Sequence, residues 1–322
     1  MSSDNVRVLL VAGTGQNGAT LLSRVLGGVP GFCSIGEIGH LWDKALIEGR
    51  GCGCGKSVRA CPFWSEVGDH AFGGWDRVDA RHATALRGSL LFKKLPVPHP
   101  FALPLILHPG LSSSYRKNLH EYGELMERLY RAIATVSGAQ VIVDSMKVPA
   151  HVYAMSLRPG IDGRVLHLVR DARGVAYSNV KVVERQGEHF RVRRRPAKAG
   201  LRWTWINESF AVLARHGVPT EIVRYESFVR HPGEEVRRIA SFAGVPIEDA
   251  ALSSIDGNMV TLPEDHLVAG NRMRFASGAI ELSVDDEWAR KLTRAQRRTV
   301  SLVTWPLLRR YGYVSERESS ES

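Results

Sequence analysis

VRVLLVAGTGQNGATLL, Val6–Leu22, decides the fold. The apolar run Val6–Ala12 predicts a strand buried on both faces, as in a parallel sheet. A glycine-rich turn follows, and the periodicity then becomes helical from about Asn17 to Gly27. The turn has the Gly-x-x-x-x-Gly frame of a phosphate-binding loop, from Gly13 to Gly18. A nucleoside triphosphatase carries lysine next, to reach the β- and γ-phosphates, and here that position is Ala19. The frame therefore predicts a cradle for a phosphorylated ligand other than a triphosphate. Backbone N–H groups at the helix start and the helix dipole would hold the anion, with Gly15 and Gly18 admitting it closely and Thr20 adding a hydroxyl.

Working outward, further strands are expected at Phe32–Ile35, Gln140–Val143, Gly163–Val169 and Thr220–Tyr225. Helices are expected at Ser112–Ser137, Pro149–Leu157, Ala197–His216 and Gly233–Ala243. Strands alternating with helices predict an α/β fold, a mainly parallel sheet wound on both sides. Ligands of such sheets lie beyond the carboxyl ends of the strands. Glu37, Lys147, Arg170 and Tyr225 all fall there, as does the cradle. The stretch of about 49–111, rich in Gly, Pro and His, reads as an insertion or lid over the sheet. Arg185–Pro196 reads as a basic loop, and the region from Gly244 to about Val284 as irregular. The Ser/Glu tail after Tyr313 reads as disordered. A single domain spanning 1–322 is the expected organisation.

With 322 residues, 44% of them hydrophobic, the chain can build a sizeable core. A net charge of +10 points to an anionic partner: nucleic acid, an anionic membrane surface or a small ligand. The basic groups outside Arg191–Lys198 fall at helical spacing and read as solvated helix faces, and no nucleic-acid motif accompanies them. No signal peptide is recognisable at Met1–Val11, and no apolar run is long enough to span a bilayer. A cytoplasmic location is the expectation, with peripheral membrane contact left open. Three of the four cysteines, Cys52, Cys54 and Cys61, fall together in GCGCGKSVRACPFW. They lack Cys-x₂-Cys pairs, so no metal is assigned. The alternatives are zinc, with His40 or His70 as a fourth ligand, and a reduced cysteine-rich loop.

Arg170, at a strand's end beside a helix start, makes a second anion site, with Ser178 two turns further on. The competing reading pairs Arg170 with Asp144 or Asp171. Two phosphate-type sites on one sheet suggest a doubly phosphorylated nucleotide.

AGTGQNGATLL and LVRDARGVAYS, with VRYESF from Val223, together resemble the nucleotide-dependent sulfotransferases, which use 3′-phosphoadenosine 5′-phosphosulfate (PAPS). CGCGKSVRACPFW and HLVAGNRMRF resemble segments of the bacterial branch of that family, so the likeness runs from Val6 to Tyr313. The resemblance implies a three-layer α/β/α, P-loop-like sulfotransferase fold. It also implies PAPS as donor, adenosine 3′,5′-bisphosphate (PAP) as product, and no metal in the reaction. Gly15, Gln16, Asn17, Gly18, Ala19, Thr20 and Leu21 would then hold the 5′-phosphosulfate. Arg170 and Ser178 would hold the 3′-phosphate, and Tyr225 would pack near the base. Glu37 matches a catalytic glutamate of some members, acting as base if burial raises its pKa, and otherwise pairing with Lys147 or Arg170. His40 is the first alternative base, ahead of His151 and His167, and Lys147 would neutralise the leaving phosphate. Many members carry Arg or Lys where this chain has Gln16, so a charge-assisted contact is missing from the loop.

Lys93–Leu111 and Gln186–Lys198, mixing Pro, Leu, Phe and Arg, are the expected walls of an acceptor pocket. They suit a hydroxylated small molecule of amphiphilic character, such as a glycolipid or a glycosylated natural product. A kinase-like P-loop phosphotransferase is one rival, with Asp144 as its magnesium aspartate. A non-catalytic nucleotide-binding protein is the other, suggested by Gln16.

Overall fold

The computed structural model describes residues 5–90, 103–180, 182–185, 188–191 and 196–314. Strand β1 (Val6–Ala12) is the middle of a five-stranded, wholly parallel sheet. Its other members are β2 (Phe32–Gly36), β3 (Val141–Asp144), β4 (Ile161–Val169) and, after the antiparallel hairpin β5 (Val182–Arg185) and β6 (Glu188–Arg191), β7 (Thr220–Arg224). The order is β2-β3-β1-β4-β7. Pairing of Leu10 with Asp144, Ala12 with His167 and Val169 with Arg224 brings the strands to an end along one edge. The chain leaves β1 toward β2 on one side and leaves β4 toward β7 on the other. The crevice between β1 and β4 is therefore the switch point at which an open α/β sheet takes a ligand.

Alternation along β1 explains why the sheet is covered twice. Val6, Val8, Leu10 and Ala12 enter one core with the helices Ser113–Ser137 and Pro149–Ser156. Leu9 and Val11 enter the other with the helices Ala19–Gly27 and Pro232–Phe242. Both faces are apolar because both are buried, giving the predicted three layers. The long helix is closed at each end by its own sequence. Ser112 Oγ accepts from Tyr115 N–H at its start, and Gly138, in the left-handed region, follows its last residue.

Three stretches differ from expectation. The predicted lid contains several helices, among them Pro62–Phe72 and Ala80–Leu90, whose Trp64, Val67, Leu86 and Leu90 belong to the first core. The stretch after Gly244 forms a small antiparallel sheet, β8 (Ile255–Asp256), β9 (Met259–Leu262) and β10 (Gly278–Glu281). Its Val260 and Leu262 close the second core. Part of the predicted basic loop is the β5–β6 hairpin. Positions 93–102 of the first expected acceptor wall, and 186–187 and 192–195 of the second, lie outside the described residues. So do 315–322, which hold the expected disordered tail. Among the described residues, no helix is long and apolar enough to cross a membrane.

Candidate functional site

The turn after β1 is shaped by close approach. Gly13 has φ +131°, and a Cβ there would collide with the Asn17 amide and the Leu168 carbonyl. Gly18 has φ +92°, and a Cβ there would lie 2.5 Å from ring carbons of Tyr225. Neither position accepts a side chain. The Asn17 side chain is fully buried. Its Nδ2 donates to Leu168 O at 2.9 Å, and its Oδ1 accepts the Ala19 N–H at 3.2 Å. Asn17, expected as a donor-binding residue, thus also ties the turn to β4 through Nδ2 and to the helix start through Oδ1. Gln16 has φ 69°, the one non-glycine positive φ among the described residues. Helix Ala19–Gly27 has no side-chain cap and no acidic residue in its first turn, which keeps its N-terminus electropositive.

Arg170, buried at the end of β4, closes one side. Its Nη1 donates to Gln16 O at 3.0 Å and its Nη2 to Asp285 Oδ2 at 2.9 Å, while its guanidinium lies 4.9 Å from the Tyr225 ring centre. The carboxylates weighed from sequence are engaged elsewhere. Asp171 accepts the Arg173 N–H at the start of the next helix. Asp144 is fully buried and accepts from Tyr130 OH at 2.6 Å and the Met146 N–H at 2.8 Å, with His151 Nε2 at 2.9 Å.

Lys147 and Glu37 close the opposite side. Lys147 Nζ is 2.6 Å from Glu37 Oε1 and 3.3 Å from Ser145 O. Burial pushes the Glu37 pKa up, but the Lys147 charge and hydrogen bond, with His40 and Lys44, outweigh it. The carboxyl ends below its ordinary 4.5. Of the two readings open from sequence, a pKa raised by burial or an ion pair with Lys147 or Arg170, the structure shows the pair with Lys147.

Residues 15–21, Glu37, Lys147, Arg170 and Tyr225 line one cavity of about 320 Å³, completed by Asn271 and Met273. Two of the predicted site residues do not line it. His40 Nε2 is 3.9 Å from Glu37 Oε2, but its Nδ1 faces Asp43 at 3.1 Å and Arg87 at 3.0 Å. Ser178 lies half-buried on helix Ala172–Val180. The other candidate bases are core groups. His151 belongs to the Asp144 network. His167 is buried against Asn207 Oδ1 at 2.8 Å, with its pKa pushed down by burial to about 4. Larger surface hollows of about 560 and 490 Å³ exist, and neither shares a residue with the cradle.

Asn271 and Met273 were not singled out individually from sequence, and neither was the residue that holds them. Arg24, buried in the cradle's own helix, pairs with Asp265 at 2.8 Å and donates to Met273 O at 2.6 Å and to Ala276 O and Pro263 O. It thereby grips the whole segment that forms that wall. The only local signal for Arg24 was a basic residue amid Leu22, Val25 and Leu26 on a buried helix face.

No protein-family model matches the chain. Solved structures similar to it include the sulfotransferase domain from the Synechococcus PCC 7002 olefin synthase, at 17% identity and TM-score 0.48 over 95% of this chain and 96% of that one. The sulfotransferase domain from the curacin biosynthetic pathway matches at 17% identity and TM-score 0.45 over 94% and 99%. A Mycobacterium avium sulfotransferase matches at 14% identity and TM-score 0.39 over 78% and 67%.

Proposed function

We propose that the protein transfers the sulfuryl group of PAPS to a hydroxyl of a small, amphiphilic acceptor, of glycolipid or glycosylated natural-product type. One observation carries this reading. A helix-terminal anion cradle without a lysine at Ala19, a buried arginine at the neighbouring strand's end and a Lys–Glu pair share one cavity. The cavity thus offers positive charge at two places for an anion with two separated phosphate-type groups. A magnesium-triphosphate reading has less support, because Asp144 is buried and hydrogen-bonded within the core.

In this reading the N–H groups of the cradle hold the 5′-phosphosulfate and Arg170 holds the 3′-phosphate. Ser178 is a further candidate on that side. The acceptor oxygen attacks sulfur in line as the bond to the bridging phosphate oxygen breaks. The acceptor's proton passes to the Glu37 carboxylate, and Lys147 neutralises the charge left on the phosphate. The two roles are coupled. As Lys147 turns toward the leaving oxygen it weakens its hold on Glu37, burial then dominates, and the carboxylate's affinity for a proton rises as the proton arrives.

Thermal shift with PAP against Mg-ATP tests donor choice, and transfer of radiolabelled sulfate to a panel of hydroxylated acceptors tests the reaction. Stabilisation by PAP and none by Mg-ATP is expected; the reverse pattern would sink the proposal. Non-catalytic nucleotide binding is the second reading, favoured by the uncharged Gln16, and predicts stabilisation by PAP with no transfer to any acceptor.

A further inference from the structure

Away from the cradle, three sulfurs and one imidazole nitrogen converge beside the helix Pro62–Phe72. Cys52, Cys54, Cys61 and His266 each present one donor atom, and the four atoms lie within 4.8 Å of one another. Cys61 Sγ is 3.2 Å from His266 Nδ1, Cys52 Sγ is 3.7 Å from the same nitrogen, and Cys54 Sγ is 3.6 Å from Cys61 Sγ. Tetrahedral zinc, with bonds of about 2.3 Å to sulfur and about 2.0 Å to nitrogen, sets S···S near ~3.8 Å and S···N near ~3.5 Å. These three separations lie within about 0.3 Å of that geometry, and all the cysteines are free.

The surrounding backbone is arranged to hold thiolates. The N–H of Cys54 donates to the Cys52 sulfur, that of Lys56 to the Cys54 sulfur and that of Trp64 to the Cys61 sulfur. Bonds from Cys52 N–H to Lys56 O at 2.8 Å and from Gly55 N–H to Cys52 O at 2.9 Å close the turn. Gly53 lets it dock, since a Cβ there would meet Asp265 O at 2.7 Å, and its own N–H donates to Leu267 O at 2.9 Å. His266 is fixed independently. Its ring stacks on Phe63 at 4.9 Å and 6°, and its carbonyl accepts from Trp64 Nε1 at 2.7 Å.

We infer that Cys52, Cys54, Cys61 and His266 form a structural Cys₃His zinc site that clips the turn at 51–61 to the segment around 265–268. Four protein ligands complete the tetrahedron and leave no open position for water, which makes the site structural rather than catalytic. It replaces His40 or His70 as fourth ligand by a histidine some 200 residues from the cysteines. The clip also braces the proposed donor site, because Ala269 O accepts the Glu37 N–H at 3.2 Å and the same segment continues to Asn271 and Met273.

The test uses the full chain, produced with zinc in the medium and purified under reducing conditions without chelator. About one zinc per chain is expected by elemental analysis. Exchange with Co²⁺ should give thiolate-to-cobalt charge-transfer bands and the d–d bands of a tetrahedral site, and chelation should lower the melting temperature. Cys54→Ser, which removes a half-buried thiol, should lose the metal, whereas Cys33→Ser should keep it. The cobalt spectrum of the unaltered protein decides the matter even if Cys54→Ser fails to fold. A metal-free protein without thiolate–cobalt bands, a different metal in the site, or a disulfide among Cys52, Cys54 and Cys61 under these conditions would overturn the inference.

Discussion

Lys147 Nζ sits 2.6 Å from Glu37 Oε1 at the mouth of the anion cradle, and this contact sets the charge state of the proposed base. With Lys147 in place, the Glu37 carboxyl stays below its ordinary 4.5 and is ionised through neutral pH. A depressed carboxyl is lost as a base only when pH falls through its own value. The acid limb of kcat/KM is therefore expected below pH 4.5, and a limb well above that value would mean that Glu37 is not the base. In Lys147→Met the burial of Glu37 is opposed only by the charges of His40 and Lys44, so the limb should move up while kcat falls. Glu37→Gln should lower kcat by about 10² to 10⁴ and leave PAP binding nearly unchanged.

Both cations of the cavity are already paired, Lys147 with Glu37 and Arg170 with Asp285. An incoming anion must compete with those carboxylates. Arg170→Ala should weaken PAP binding by about thirtyfold, the loss of roughly 2 kcal/mol from a charge-assisted contact. Asp285→Asn should do the opposite and tighten it several-fold, because the guanidinium no longer holds a competing anion. Isothermal titration of the two variants measures both effects. Weaker binding in Asp285→Asn would mean that Asp285 orients Arg170 rather than competes for it.

The sheet and the cradle were legible because their signals are local. An apolar run, a glycine frame and a helical period occur within Val6–Leu22, and β1 then buries both faces as that run implies. The helices at 62–90 were masked by residues that usually break a pattern. Gly68 sits inside the first because a Cβ there would strike the Trp75 indole at 2.5 Å, so the glycine serves packing rather than a turn. The tie from Asn17 to β4, and the roles of Arg24 and His266, were missed for a different reason. Their partners Leu168, Asp265 and Cys61 lie far along the chain, and no spacing encodes such a meeting. The lowered Glu37 pKa belongs to the same class, since it depends on where Lys147 lands.

Gln16 lines the cavity, and its backbone is held at φ 69°. Gln16→Lys should raise kcat by about tenfold, the gain of roughly 1.4 kcal/mol from a charged in place of a neutral donor. Gln16→Gly should relieve the left-handed strain by about 1 kcal/mol and lower kcat. Single-turnover sulfate transfer and urea unfolding separate the two effects. An unchanged kcat in Gln16→Lys would show that Lys147 already supplies the charge.

Arg24 satisfies Asp265 and three carbonyls from inside the core. Arg24→Met preserves the apolar stem but leaves those groups without a donor, and the expected loss is about 3–5 kcal/mol in urea unfolding. PAP binding should weaken along with it, because Asn271 and Met273 are held through this guanidinium. A stable Arg24→Met protein with full PAP affinity would show that the 263–276 wall is fixed by other contacts.

His167 gives a pH signature of the core rather than of the site. Burial holds its folded pKa at about 4 against an ordinary 6.5, despite the hydrogen bond that its Nε2–H donates to Asn207 Oδ1. Between those values the unfolded chain binds a proton that the folded chain refuses. Stability therefore falls as pH drops from 6.5 toward 4, by about 3 kcal/mol in total. His167→Gln removes the titrating group, so its stability should decline less over that window by the same amount, whatever its stability at neutral pH. Urea unfolding at several pH values reads the slope directly. Equal slopes in the two proteins would mean that His167 takes its proton without unfolding, and that the core at Asn207 and Phe210 opens to admit it.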